Sequence, residues 1–177
     1  PQMAEQIGEL NVIRSLTSKE GDHERGTAVV KTGYDIDPIT DYPSLSAIVS
    51  RQVASENHEI PAHISLGGGQ WPARGGFLGD SFDAFRIFDP GRNLGNMQAL
   101  VGDKRQQRRL ESLAVVTQAF ARGREKQTGN TLHQLTIERA LTMMKSEQLK
   151  AFKIDEEPQA LRDAYGTSQF GRGCLVA

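Results

Sequence analysis

The spacing of hydrophobic and polar positions divides the chain into three portions. Residues 1–66 alternate between helical and strand patterns and are predicted to form an α/β core portion. Residues 67–103 form a loop-rich excursion, and residues 104–177 follow helical spacing. The expected fold class is therefore α/β with a mainly helical C-terminal half, in a single domain that spans residues 1–177.

Helices and strands are both predicted in the core portion. The pattern predicts an amphipathic helix over residues 1–9, a strand over 10–16, a helix over 24–32, a helix opened by Pro43-Ser44 and a strand over 60–66. Asp22 is placed to cap the 24–32 helix and Gly33 to end it. Aspartate accepts backbone N–H groups at a helix start, and glycine tolerates the left-handed conformation at a helix end.

The excursion is rich in glycine, proline and asparagine, and aromatic residues are scattered through it: Trp71, Phe77, Phe82, Phe85 and Phe88. A structureless loop of this length is uncommon in a compact domain. Since aromatic side chains are stabilised by burial, the excursion is predicted to be ordered and packed against the core.

The helical portion contains three predicted helices. Residues 104–122 carry an apolar face formed by Leu110, Leu113, Val116 and Phe120. A second helix begins at a capping box formed by Thr131 and Gln134, and the polar loop 122–130 predicts that these two helices form an antiparallel hairpin. Pro158 and Gly166 bracket a short third helix.

Composition and charge exclude several classes of protein. The net charge of −1 gives no general attraction to nucleic acid or to an anionic membrane surface. No apolar stretch approaches the roughly 20 residues of a membrane span. The single cysteine, Cys174, excludes an internal disulfide, and its apolar surroundings favour a buried small hydrophobe over a nucleophile.

The two ends of the sequence predict a piece of a larger protein. The chain opens at Pro1 without a methionine, directly in a helical pattern, and it closes on the apolar run Leu175-Val176-Ala177 without a helix-stop residue. The missing signal peptide therefore gives no information on location.

The strongest candidate for chemistry is the pair Asp22-His23. A strand, a loop with ionisable groups and a helix start are where α/β proteins handle anions, because backbone N–H groups converge there. A carboxylate and an imidazole at this place could bind a divalent metal, carry a proton or attack phosphorus or sulfur. The alternative, favoured by composition alone, is a capping aspartate beside a surface histidine. The nearby hydroxyl groups are further possible nucleophiles: Ser15, Thr17 and Ser18.

Three other features have weaker functional interpretations. The basic run from Lys104 to Lys126 could face phosphate or sulfated polysaccharide, but interleaved apolar residues favour a solvated helix face, and the lack of interspersed aromatics disfavours nucleic acid. Gly67–Gly69 are interpreted as a flexible turn because no phosphate-loop lysine accompanies them. The remaining histidines lack metal-ligand spacing and are expected to be structural or exposed: His58, His63 and His133.

Several motifs resemble a bacterial family known as domain of unknown function 1501. The first runs through Arg14-Ser15-Leu16-Thr17, Asp22-His23 and Lys31-Thr32-Gly33-Tyr34. The match continues through the segments Pro43–Leu45, Ile48–Gln52, Gly75–Gly79, Phe82–Phe85, Glu157–Gly166 and Phe170–Leu175, in the family's order. That family is similar to the sulfatase and alkaline phosphatase superfamily. The resemblance implies an α/β/α sandwich, of which this chain is a central part.

The same resemblance implies an exported protein, periplasmic or extracellular, with a divalent metal whose main ligands lie outside residues 1–177. Counting back from Thr32-Gly33 places His23 where sulfatases carry the cysteine that becomes formylglycine, and Thr27 where they carry an arginine. A formylglycine mechanism is therefore excluded at this site. His23 could instead serve as a nucleophile or a metal ligand, with Asp22 orienting it or capping the helix.

Two functions are expected from these implications. The first is a metal-dependent hydrolase of sulfate or phosphate esters, with His23 and Asp22 as catalytic residues and His23 as a metal ligand; residues 1–177 alone should be inactive. The second is a non-catalytic sulfatase-like scaffold with a carbohydrate-binding or structural role, with sulfated polysaccharide as a possible partner. A third possibility is that residues 67–177 form a stable insertion domain.

Overall fold

The structure is a computed structural model that describes residues 2–53, 58–67, 69, 71, 73–92, 94–128 and 131–177. Helices predominate, and they accompany a two-stranded parallel sheet. The α-helices are α1 (Gln2–Glu5), α2 (His23–Thr32), α3 (Leu45–Val53), α4 (Asp103–Ala121), α5 (Glu125–Thr128), α6 (His133–Lys145), α7 (Gln159–Tyr165) and α8 (Gln169–Val176). The strands are β1 (Ile64–Leu66) and β2 (Phe85–Ile87).

Short 3₁₀ helices connect several of these elements. They span Ile7–Glu9, Gly76–Leu78, Asp80–Phe82, Glu147–Phe152 and Ile154–Glu156. The predicted helix over residues 1–9 is therefore a short α-helix followed by a 3₁₀ turn. No helix within the described residues is both long and apolar enough to cross a membrane.

The sheet joins the predicted core portion to the excursion. Strand β1 pairs in parallel with β2, with Ile64 opposite Phe85 and Leu66 opposite Ile87. The described part of the excursion is therefore joined to the core portion, as predicted, and it contributes a strand, β2, that was not predicted. Its aromatic residues divide into two groups, since Phe77 and Phe88 are exposed whereas Trp71, Phe82 and Phe85 are half-buried.

The main apolar cluster lies where β2 meets the C-terminal portion. Ile87, Met143 and Phe152 are buried together, and half-buried side chains from both strands and from α8 pack around them. The cluster is small, with three buried side chains. These side chains come from three separate parts of the chain. The strand predicted over 60–66 is observed only for Ile64–Leu66, because only these residues pair with β2, although Ile60 also packs against the cluster.

The predicted strand over residues 10–16 is wrong. This segment has no regular secondary structure, and Leu10, Val12, Ile13 and Leu16 are all exposed. A strand needs hydrogen bonds from a neighbouring strand, and the described residues provide none for this segment. The apolar pattern alone was therefore not enough to form the strand.

Helices with clear local end signals occur where they were predicted. α2 begins after Asp22 and ends at Gly33, α3 follows Pro43-Ser44, and α7 lies between Pro158 and Gly166. α4 also matches its predicted span closely, and α6 occurs where the second helix of this portion was predicted. Capping groups act within one turn of the helix that they cap, so these ends can be predicted without tertiary information.

Three predictions for the C-terminal portion are wrong. Leu132 rather than Thr131 precedes α6, and the Thr131 hydroxyl donates to the carbonyl of Thr128 instead of forming a capping box. The antiparallel hairpin is not formed, because α4 has no buried residue and does not pack along α6. Cys174 is exposed because α8 turns it away from the apolar cluster.

A further helix, α8, was not predicted from the sequence. This helix packs against α7, and Gly171 lies so close to Tyr165 that an added Cβ would come within 2.0 Å of the Tyr165 carbonyl oxygen. The hydroxyl of Ser168 accepts the N–H of Gly171 and caps the helix. The family-like segment Phe170–Leu175 thus owes its glycine to a close contact between two helices.

Candidate functional site

Asp22 caps the start of α2. Its Oδ1 accepts the backbone N–H of Glu24 at 2.9 Å and that of Arg25 at 3.0 Å. These hydrogen bonds lower the pKa of the Asp22 carboxyl below its ordinary value of 3.8, although the side chain is exposed, and the bond from Arg25 has the larger effect. Asp22 thus holds two of the N–H groups that an anion bound at this helix start would need.

His23 is the first residue of α2 and is exposed. Its carbonyl oxygen accepts a hydrogen bond from the hydroxyl of Thr27 at 2.6 Å, whereas its ring has no hydrogen-bond partner among the described residues. The described residues contain no cluster of three or more histidine, cysteine, aspartate or glutamate side chains that could hold a metal ion. Asp22 and His23 are therefore neighbours in sequence, with Glu24 next to them and the Arg25–Glu20 ion pair close by, and the described residues do not join them into a metal-binding cluster.

The Lys31-Thr32-Gly33-Tyr34 motif ends α2. The Thr32 hydroxyl lies 2.8 Å from the carbonyl oxygen of Ala28 and accepts the N–H of Tyr34 at 3.0 Å. Gly33 has φ of 80°, and its N–H donates to the carbonyl of Val29. The threonine and the glycine of the motif therefore turn the chain away from the helix, and they place Tyr34 at the start of the next segment.

A cleft of about 500 Å³ runs along α2. It lies between this helix, the segment 34–44 and the segment that contains Trp71 and Arg74. Thr27, one turn beyond His23, lines the cleft, whereas His23 itself lies beyond its edge. The cleft could not be predicted from the sequence, because its walls come from segments that are far apart in the chain.

Aromatic stacking and close backbone contacts fix the wall opposite α2. The rings of Tyr34 and Tyr42 stack with centroids 4.2 Å apart, and Tyr42 meets the edge of Phe77 at 6.4 Å. The N–H of Phe77 donates to the carbonyl of Asp41 at 2.7 Å. Gly76 has φ of 52°, and an added Cβ would lie 2.4 Å from the same Asp41 oxygen. The Gly75–Gly79 motif is therefore a support for the cleft wall.

The third wall is joined to the others by hydrogen bonds. Ser44 donates through both its N–H, at 2.9 Å, and its hydroxyl, at 3.0 Å, to the carbonyl of Arg74. Lys31 donates through Nζ to the carbonyl of Trp71. Partial burial, and next the charge of Arg86, lower the pKa of the Lys31 ammonium. The cleft is thus held by contacts on all three of its sides.

The other residues singled out from the sequence lie outside this cleft. His63 is buried and its Nδ1 bonds to the carbonyl of Phe82 at 2.8 Å, whereas His58 and His133 are exposed. The cations of the run Lys104–Lys126 lie at exposed positions of α4, of α5 and of the short connection between them. Gly67 forms a turn with φ of 96°. Gly68 lies outside the described residues. The loop hydroxyl residues are exposed: Ser15, Thr17 and Ser18.

Comparisons with known proteins identify the family. No curated protein and no solved structure matches the chain. The sequence profile of one family, described as protein of unknown function (DUF1501), matches residues 1–177. This match confirms the resemblance that the Lys31–Tyr34 and Gly75–Gly79 motifs suggested, and the chain therefore belongs to the DUF1501 family of proteins of unknown function.

Proposed function

We propose that this chain is part of an exported, sulfatase-like hydrolase of sulfate or phosphate esters. The observation that carries the proposal is the position of His23, an exposed imidazole at the start of α2, one turn from a residue that lines the cleft. The α/β/α sandwich and the periplasmic or extracellular location belong to the same proposal, and they rest on the resemblance of the motifs to that superfamily.

The proposed chemistry is an in-line displacement at the ester. A ring nitrogen of His23 attacks phosphorus or sulfur, the bond to the ester oxygen breaks, and the departing oxygen takes up a proton from water. Water then releases the phosphate or sulfate from the imidazole. Asp22 keeps the first turn of α2 ordered and so fixes the backbone that carries His23.

A divalent metal does not fit the described residues alone. At the helix start the carboxylate of Asp22 accepts two backbone N–H groups, which leaves the His23 ring and the Glu24 carboxylate as free ligands among the described residues, fewer than a metal site needs. A metal at this place would need its main ligands from outside the described residues. No step of the proposed chemistry is therefore assigned to a metal.

A non-catalytic scaffold is the second candidate function. It is favoured by the cap at α2, since Asp22 uses the N–H groups of Glu24 and Arg25 and places a negative charge where an anionic ester would bind. In that case the molecule binds its ligand, a carbohydrate, without turnover.

Hydrolysis of aryl esters distinguishes the two functions. The protein, with any sequence that flanks residues 1–177 in its gene, is assayed with p-nitrophenyl sulfate and p-nitrophenyl phosphate across Mg²⁺, Mn²⁺, Ca²⁺ and Zn²⁺. We expect turnover that His23→Ala reduces by at least about a hundredfold, as loss of a nucleophile does. His133→Ala is the matched control, because His133 is also an exposed first residue of a helix. Turnover that survives His23→Ala contradicts the assignment, and no turnover with any metal favours the scaffold.

A further inference from the structure

The cleft along α2 contains donors and acceptors that the protein does not pair with one another. Lys31 and Arg74 make no ion pair within the described residues, although carboxylates line the same cleft. Asp35 and Asp41 are exposed, and their carboxylates form no hydrogen bond or ion pair in the described part of the chain. Lys31 donates one of its three N–H groups to the carbonyl of Trp71 and so keeps donor capacity for a ligand. Donors and acceptors with remaining capacity that converge on one concave surface are typical of a ligand site.

The charges of the cleft restrict the ligand. Two cations line the cleft, Lys31 and Arg74. Four carboxylates line it as well, so these six side chains have a net charge of −2. The carboxylates are Glu24, Asp35, Asp37 and Asp41. Asp37 is already used within its own loop, where it accepts the N–H groups of Ile39 and Thr40. A polyanion would be repelled by the carboxylates, and a simple cation would leave the charges of Lys31 and Arg74 without an opposite charge from the ligand. Hydroxyl groups satisfy both sets, because each hydroxyl donates one hydrogen bond and accepts others.

Aromatic rings provide the apolar part of the surface. Tyr34 stacks on Tyr42 yet remains 56% exposed, and Trp71 is half-buried on the neighbouring wall. A sugar ring combines an apolar C–H face with hydroxyl groups at its edge, so it matches a tyrosine or tryptophan face flanked by carboxylates and cations. The volume of about 500 Å³ lies in the range of small-molecule sites.

The cleft is preformed for such a ligand. Its walls are held by the Tyr34–Tyr42 stack, by the Phe77–Asp41 hydrogen bond and by the Ser44–Arg74 hydrogen bonds. Binding therefore orders few further groups, which reduces its entropic cost.

We infer that the cleft between α2, the segment 34–44 and the side of Trp71 and Arg74 binds a neutral glycan, with Tyr34 as the stacking platform and Asp35 as a hydrogen-bond acceptor. The inference rests on the second candidate function and deepens it, because it names the place in the fold and the class of carbohydrate, and it does not require turnover of esters. The inference does not depend on whether phosphorus or sulfur is attacked in the proposed hydrolysis.

Fluorescence of Trp71 tests the inference directly, because it is the single tryptophan of the chain. The protein is titrated with cellotetraose, maltotetraose, chitotetraose and mannotetraose as neutral probes and with dextran sulfate as a polyanionic probe. We expect a saturable change in emission with at least one neutral probe and none with dextran sulfate. A response to dextran sulfate alone, or to no probe, overturns the inference.

Variants separate binding in the cleft from an indirect effect. Asp35→Asn keeps the size of an exposed side chain and removes its charge, and we expect binding about tenfold weaker, the loss of one hydrogen bond to a charged group. Tyr34→Ala should weaken binding at least as much, and Tyr165→Ala is its control, because Tyr165 is 44% exposed and lies on α7. Unchanged affinity in both Asp35→Asn and Tyr34→Ala overturns the inference.

The same proteins distinguish this inference from the proposed function. If the protein binds a glycan, His23→Ala leaves that binding intact and no ester is hydrolysed, then the glycan site is supported and the hydrolase function is contradicted. If ester turnover depends on His23 and no glycan changes the fluorescence of Trp71, then the hydrolase function is supported and the glycan site is contradicted.

Discussion

Single residues at the ends of α2 show how local chemistry fixes the motif. Asp22 supplies the acceptor for the first turn, and Gly33 adopts a left-handed conformation that side chains other than glycine rarely take. Both roles were predictable, because each depends on atoms within a few residues. The hydrogen bond from Lys31 to the carbonyl of Trp71 was not predictable, because the two residues are far apart in the sequence.

Asp22 makes the stability of the protein depend on pH. Because its carboxyl has a lowered pKa in the folded state, its contribution is present above the ordinary value of 3.8 and is lost as pH falls through the lower folded value. We expect Asp22→Ala to lower Tm by about 2–4 °C at pH 7, the effect of losing one helix cap. Thermal unfolding followed by circular dichroism should show that the difference in Tm shrinks below pH 4.

Asp22→Asn is the control for this prediction. Asparagine also caps helices but carries no charge, so its Tm should lie close to that of the parent at pH 7 and should lack the acid-dependent loss from this site. A difference between Asp22→Ala and the parent that stays constant down to pH 2 contradicts the assignment.

Elements differ in how far their apolar faces are used. α4 and α6 follow equally clear helical patterns, yet α4 has no buried residue, whereas α6 contributes Met143 to the main apolar cluster. Periodicity therefore predicted both helices correctly and predicted their packing wrongly. Which face is covered depends on the partner element, and for α6 that partner is β2 together with the Glu147–Phe152 turn.

Two phenylalanines provide a matched test of this difference. Phe152 is 6% exposed in the main apolar cluster, and Phe120 is 60% exposed on α4. We expect Phe152→Ala to reduce the free energy of unfolding by about 3 kcal/mol, because it leaves a cavity. Phe120→Ala should change it by less than about 1 kcal/mol. Urea unfolding of both variants measures the two values, and equal losses would contradict the burial pattern.

The whole molecule depends on contacts between its sequence portions. β1 lies in residues 1–66 and β2 in residues 67–103, and the cluster around Ile87 also needs Met143 and Phe152. The cleft likewise combines α2 with the Trp71–Arg74 segment. These contacts argue against residues 67–177 as an independent unit, because a single β2 strand would lose its pairing partner.

Limited proteolysis tests this view. We expect isolated residues 67–177 to be cleaved at least about tenfold faster than the same residues within the full chain, since unpaired β2 and the exposed cluster open more often. The digestion is followed by mass spectrometry, with the full chain as the control. Equal resistance of the two would establish an insertion domain that folds alone.

The sequence by itself determined the α2, α3 and α7 helices, their caps and turns, and membership of the family, because helix hydrogen bonds and caps connect residues that are close in the chain. Only the tertiary structure decided that residues 10–16 form no strand, that β2 exists and that a cleft opens beside α2. Strands and clefts are made by segments that meet across the fold, so their partners are absent from any local pattern.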